Sequence, residues 1–238
     1  MDLSSLFAYG PGWGDELLRG GVLTLKLAAL SFIFGSLFGL LCAMGELYGG
    51  RLVRWLLGAY GVVLRSVPEL LVIFLFYFGG SFALGGLLSL LGIQGYVEVS
   101  AFWAGVAALG LIQGAYTSEV FKGAILAVPR GAVEAARSLG MSRWHVFRLV
   151  ILPIAVRYAF PGLCNMWMVV VKNTPFVSAI GLEDLVRAAG TAGENTKQFF
   201  TFYLAVLVAY LLLSAVTMAV QYAIDRRLFR HLAAARGA

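Results

Sequence analysis

Five ionisable side chains stand inside long apolar stretches of this chain: Lys26, Arg65, Glu69, Glu119 and Lys172. A charge in such surroundings is unfavourable unless it meets a partner or a ligand, so each is a candidate for recognition chemistry. Arg65 and Glu69 lie four apart across Pro68, with Ser66 between them. If helical geometry persists through the proline, they share a face and can pair with each other. If the proline loosens the helix, freed backbone groups and both charges become available to a ligand. Gln113, Tyr116 and Glu119 fall at helical spacing, a polar stripe that suits a bundle interior, either as a ligand surface or as interhelical hydrogen bonds. Lys172, Asn173 and Thr174, followed by Pro175, are expected to end an apolar run with a break and can hold a carboxylate through ammonium and hydroxyl donors; alternatively Lys172 snorkels to the surface, as Lys26 is expected to. Bond-making chemistry is not indicated. The apolar stretches hold no Ser/His pair, paired aspartates or His-Glu metal cluster, and no Gly-x-x-x-x-Gly-Lys-Ser/Thr phosphate cradle occurs. Both histidines, His145 and His231, fall in polar segments without partner ligands, so neither a catalytic nor a metal site is expected.

The elements that must position these residues follow from composition. Of 238 residues, 61% are hydrophobic and 13% charged, against about 25% charged in a soluble domain. Lipid is therefore the expected solvent, and the chain reads as a single transmembrane domain, 1–238. Apolar runs near the ~20 residues a membrane helix needs occur at about 22–44, 55–79, 101–121, 156–174 and 199–222, giving an all-α integral membrane fold of about five transmembrane helices. The run at 82–93 is short and Gly-rich and reads as a loop or a surface helix. The connectors 45–54, 122–157 and 223–238 hold 12 Lys and Arg, whereas 1–21, 80–100 and 175–198 hold 3. Asp2, Asp15, Glu16, Glu98, Glu183, Asp184 and Glu194 favour the second group. The positive-inside rule then places the N-terminus outside and the C-terminus in the cytoplasm. The net charge of +6 is gathered in these connectors rather than spread as a nucleic-acid footprint. The opening residues lack a basic n-region and a small-residue cleavage site, so no removable signal is expected. Cys42 and Cys164 lie in apolar stretches and suggest no disulfide framework.

One basic connector is unusual. In Gly131–Ala155, "GAVEAARSLGMSRWHVFRLVILPIA", the side chains Glu134, Arg137, Arg143, His145 and Arg148 interrupt apolar residues at helical spacing. Pro129 can open a first helix, with Val133, Ala136 and Leu139 along one side. Gly140 permits a bend and Ser142 can cap a second helix. There Trp144, Phe147 and Ile151 share a face, Arg143 and His145 point elsewhere, and Pro153 ends the run. Physics alone allows an interfacial helix lying on anionic lipid, but that leaves the Glu-Ala-Ala and the glycine hinge without a role.

This stretch resembles the EAA loop of ABC-importer permeases: Glu134, Ala135 and Ala136, then Gly140, then Val150, Leu152 and Pro153 at matching spacing. "QGAYTSEVFKGAILAVP" (113–129), "LRSVPELL" (64–71) and "VVKNTPFVSAIGLEDL" (170–185) resemble segments of the polar-amino-acid permeases, and "RYAFPG" and "SAIGLEDLVRA" those of the histidine/lysine/arginine/ornithine and opine branch. The resemblance implies a type I ABC importer permease fold in a bacterial cytoplasmic (inner) membrane, with a coupling loop at about 130–153. There Glu134, Ala135, Ala136, Gly140 and Arg143 would engage an ATPase subunit. It implies an ATPase dimer carrying ATP and Mg, a second permease subunit, identical or homologous, and a periplasmic or surface substrate-binding protein. No cofactor would bind this chain. Neutral-substrate relatives usually place an apolar residue after the proline where Glu69 stands here, so the resemblance implies basic amino acids or opines moved by alternating access. Residues near Arg65, Ser66, Pro68, Glu69, Gln113, Tyr116, Glu119, Lys172, Asn173 and Thr174 would line the path. An ATPase-independent carrier or channel for small polar solutes is the competing reading.

Overall fold

Apolar side chains that surround a helix on every side leave it no polar face for water, and such helices build this molecule. The structure, a computed structural model, describes residues 6–8, 10, 12–90 and 99–235. Four helical segments in it are long and apolar enough to cross a membrane: Gly14–Tyr48, Glu69–Gly86, Arg143–Ile180 and Phe199–Ile224. Large apolar side chains on them face outward, Leu41 at 68% and Leu211 at 59% exposure among them. A surface of that kind matches lipid.

The first helix, α1 (Gly14–Tyr48), has 35 residues, about 52 Å of helix at 1.5 Å per residue. Its main neighbour is α5 (Ala101–Leu126), the most deeply buried helix of the bundle. The two run parallel. Gly35 abuts Gly110, Gly39 abuts Gly114 and Thr117, and Glu46 meets Lys122. A Cβ on Gly35 would stand 2.6 Å from the Gly110 carbonyl oxygen. Small residues are therefore required for the backbones to approach this closely. Thr117 Oγ1, buried in the seam, donates to Gly35 O at 3.1 Å.

The stretch 55–79 does not form one continuous span. It is divided into α2 (Arg51–Ser66) and α3 (Glu69–Phe74), with Val67 extended at φ −91°, ψ 137° and Pro68 at ψ 132°. The residue before a proline is disfavoured in helical geometry, and the chain turns there. From Glu69 the apolar run continues through a π-helical turn (Leu75–Gly79) into α4 (Gly80–Leu90). Residues 82–90, expected as a loop or a surface helix, thus belong to a membrane-length helix, because glycine interrupts helices little in an apolar setting. Residues 91–93 of that expectation lie outside the described residues, as do Asp2 and Glu98.

Two further expectations are corrected. Pro153 does not end the basic connector's second helix. A π-helical turn (Phe147–Ile151), closed by Leu152 N–H donating to Phe147 O, leads into α8 (Leu152–Asn173) with Pro153 in its first turn. The changed hydrogen-bond register of the π-helical turn absorbs the donor that Pro153 lacks. Nor does the chain break at 172–175. It tightens into a 3-10 helix (Thr174–Ile180) that stops at Gly181, φ 95°. Next come α9 (Leu185–Thr196), capped by Asp184, and α10 (Phe199–Ala235). The ring contact of Tyr48 with Phe147 and the pairing of Glu46 with Lys122 place the basic connectors 45–54 and 122–157 at one end of the bundle. Gly20, against Asp184 and Leu185, marks the other end.

Candidate functional site

Helical side chains lean toward the N-terminus of their helix, and Arg65, near the end of α2, lies back over Gly61. Its Nη1 reaches α5, donating to Ala115 O at 3.2 Å and to Glu119 Oε1 at 2.7 Å. The same Glu119 oxygen accepts from Lys122 Nζ at 2.8 Å, and Lys122 also meets Glu46 Oε2 at 2.6 Å. Four charges of alternating sign therefore join α1, α2 and α5. The Glu46–Lys122 end is the more buried, with side-chain exposures of 13% and 18%, while Glu119 is 48% exposed.

Glu69 opens α3 on the far side of the Pro68 turn, half-buried and without an ion pair among the described residues. The turn puts Arg65 and Glu69 on different helices, so the alternative that they pair with each other is overturned. Ser66 Oγ donates to Val62 O at 2.7 Å within its own helix. Val72 and Ile73 of α3 share a core cluster with Val177 and Ile180 of the 3-10 helix, which brings the segment after Pro68 beside the one after Lys172. Within that second segment Lys172 is exposed and Asn173 partly so. Thr174 is buried; its Oγ1 donates to Val171 O at 2.8 Å and lies 3.3 Å from Tyr210 Oη. The stripe on α5 fans out. Gln113 is buried against Gly35 of α1, Tyr116 packs at the edge of the core that holds Ile73, and Glu119 turns to α2.

At the basic end, α6 (Arg130–Ser138) follows Pro129. Glu134 and Ala135 are exposed and Ala136 is buried, while Leu139, at the helix end, is 83% exposed. Gly140 at φ 79° makes the bend, and Ser142 caps α7 (Arg143–Val146) by accepting from His145 N–H. Arg143 does not point away from the aromatic face: it lines one cavity with Trp144, Phe147 and Ile151. Its direction follows from the short α7, which turns within a few residues into the π-helical turn.

Residues 35–230 match the family model described as the binding-protein-dependent transport system inner membrane component. The chain belongs to this family. It is 44% identical over 218 residues to the nopaline transport system permease protein NocQ of Agrobacterium fabrum, covering 91% of this chain and 92% of that protein. It is 38% identical over 216 residues to the histidine/lysine/arginine/ornithine transport system permease protein HisQ of Escherichia coli, covering 91% and 94%. A crystal structure of an amino acid ABC transporter with histidines superposes with a TM-score of 0.78 at 31% identity, covering 90% of this chain and 95% of that one. An inward-facing MetNI methionine ABC transporter shares the fold, with a TM-score of 0.76 at 18% identity and coverage of 93% and 99%.

In this transport component, sequence reasoning missed two members of the charge chain, Lys122 and Glu46. The spacing of Glu119 and Lys122, three apart on one helix, was the available signal. Asp184 was likewise read only as an outer-loop charge. It is fully buried, accepts from Arg187 N–H at 2.9 Å as the cap of α9, and leaves Oδ2 without a partner among the described residues. Burial pushes its carboxyl up to about 6, although the Arg187 and Val186 amides work against that rise.

Proposed function

We propose that this chain is one transmembrane half of an ATP-driven importer for cationic amino acids or opines in a bacterial cytoplasmic membrane. In this reading α5 is a fifth crossing beside the four more apolar segments, since its 26 residues span about 39 Å. The N-terminus lies outside and the C-terminus inside. Gathering of the basic connectors 45–54 and 122–157 at one end of the bundle supports that orientation. An ATPase dimer, which carries the ATP and Mg, engages α6 and the bend after it through Glu134, Ala135, Ala136 and Gly140, while Arg143, which lines the cavity beside Trp144, stands outside that contact. A second permease subunit completes the pathway, and a substrate-binding protein delivers cargo from outside.

The observation that carries the substrate class is the unpaired carboxylate of Glu69. Arg65 is committed to Glu119, so Glu69 stands at the Pro68 turn with its charge open to a ligand cation. Interrupted helices near mid-membrane are common substrate sites. Lys172 and Asn173, beside the adjoining 3-10 helix, are placed to meet a substrate carboxylate. Substrate then passes by alternating access as the ATPase moves α6.

The test is uptake by proteoliposomes holding the complete complex, with labelled arginine, histidine, octopine and glutamine, for wild type and Glu69→Gln. Wild type is expected to take up the cationic compounds, and the variant to lose at least tenfold of that uptake while retaining ATP hydrolysis. Equal uptake by the variant refutes the role of Glu69. Uptake without nucleotide returns the chain to the carrier class.

A further inference from the structure

The cavity at the basic end holds about 410 Å³ between the end of α1 and the start of the Arg143–Ile180 span. Its walls are apolar and aromatic. Met44 and Tyr48 form one side and Trp144 and Phe147 the other, with the Trp144 and Phe147 rings stacked 6.1 Å apart. Arg137 and Arg143 also line it, both exposed and neither in an ion pair among the described residues. None of the described residues that line it is acidic. A second, smaller cavity of about 60 Å³ shares Phe147 and Ile151 with the first and is lined by the apolar Leu40, Ile125 and Val156. Two guanidiniums therefore flank an apolar space that continues along membrane-length helices.

We infer that this cavity is a binding site for one anionic phospholipid, with the phosphate on Arg137 and Arg143 and an acyl chain directed past Phe147 and Ile151. Charge complementarity selects the anion, and guanidinium groups match phosphate oxygens in bidentate geometry. Basic pockets between membrane helices on the cytoplasmic side take anionic headgroups by this chemistry. The walls select a lipid over a free phosphate, which would leave the aromatic surface against water. An ATPase segment is the rival occupant, but the cavity opens between α1 and the π-helical turn, whereas Glu134, Ala135 and Leu139 are exposed on α6. The inference requires only that these helices cross a membrane and is independent of what the chain transports.

The test uses the complete complex, ATPase included, in phosphatidylcholine bilayers. Lipids brominated near the ester end of the acyl chain quench tryptophan on contact. The Trp144 signal is obtained by subtracting a Trp144→Phe variant, which removes the contribution of the other tryptophans. Brominated phosphatidylglycerol is expected to quench Trp144 at least threefold more than brominated phosphatidylcholine. That preference is expected to vanish in Arg137→Gln/Arg143→Gln and to persist at reduced strength in Arg137→Lys/Arg143→Lys, which keeps the charge without the bidentate fork and controls for folding. Millimolar inorganic phosphate is expected to leave it unchanged. Equal quenching by the two lipids overturns the site. So does a preference retained in the glutamine variant, one abolished by free phosphate, or one that exists only before the ATPase is assembled.

Discussion

The Arg65 guanidinium stands 2.7 Å from the Glu119 carboxylate, two side chains separated by 54 positions in sequence. That pair ties α2 to α5 just below the Pro68 turn, and through Lys122 it extends to Glu46 of α1. It also leaves Glu69 open, so the identity of one partner settles the availability of another.

Because both members are partly exposed, their coupling is modest. A double-mutant cycle of Arg65→Ala and Glu119→Gln, read from thermal unfolding of the purified complex, is expected to give about 0.5–1 kcal/mol. The exchanged pair Arg65→Glu/Glu119→Arg is expected to recover less than half of the stability lost in either single change, because Lys122 would then face an introduced guanidinium rather than a carboxylate. Full additivity of the single variants would show that the contact contributes nothing.

The α1–α5 seam predicts a matched pair of glycine substitutions. A side chain on Gly39 collides with Thr117 and Gly114, whereas Gly21, on the same helix, has open space around it. Gly39→Val is expected to lower stability by about 1–3 kcal/mol through overpacking. Gly21→Ala is expected to be neutral or to stabilise by up to about 1 kcal/mol. Thermal melts of the two variants side by side check this.

Asp184 predicts a pH dependence with a definite sign. Its carboxyl is held at about 6 in the folded chain against an ordinary 3.8. The neutral form is thus favoured by folding. The stability it gives is complete below pH 3.8 and is lost as pH rises through about 6. Between pH 5 and 7.5 the loss is on the order of 1 kcal/mol. Protection factors of the α9 amides, with the base-catalysed intrinsic exchange divided out, are therefore expected to be higher at pH 5 than at pH 7.5. Asp184→Asn keeps an acceptor for the Arg187 N–H without the charge and is expected to flatten that difference. An unchanged pH profile in the variant would assign the dependence to another group.

On α6 the exposed and buried residues of one motif should separate. Glu134→Ala removes an exposed charge and is expected to cut uptake at least tenfold with the melting temperature unchanged. Ala136→Leu enlarges a buried side chain and is expected to destabilise by about 1–3 kcal/mol. Loss of uptake in the second variant alone would remove Glu134 from the coupling surface.

Much of the architecture was legible because apolar runs and proline-glycine punctuation act locally. The bend at Gly140, the cap at Ser142 and the disruption at Pro68 all follow from the residue and its neighbours. Prolines 153 and 175 misled for the same local reason. Their effect depends on whether a π-helical or 3-10 turn absorbs the missing donor, and that is decided by the packing of Phe147 and Val177 against distant helices. Arg65 was recognised as a charge in need of a partner, but the choice between Glu69 and Glu119 is tertiary. Asp184 showed no sign of burial, since its surroundings come from Thr24, Tyr210 and the α9 amides, all remote in sequence or set by the turn itself.

The glycine seam has a mechanical consequence. Locked by Gly35, Gly39 and Thr117, α1 and α5 form a stiff keel that cannot slip by a fraction of a turn without steric collision. The irregular joints, at Val67–Pro68, Leu75–Gly79, Phe147–Ile151 and Thr174–Ile180, all lie in the ribs around it. A displacement of α6, which follows α5 in the chain, would therefore be carried along the keel without backlash, and the ribs would flex where their hydrogen-bond register already changes.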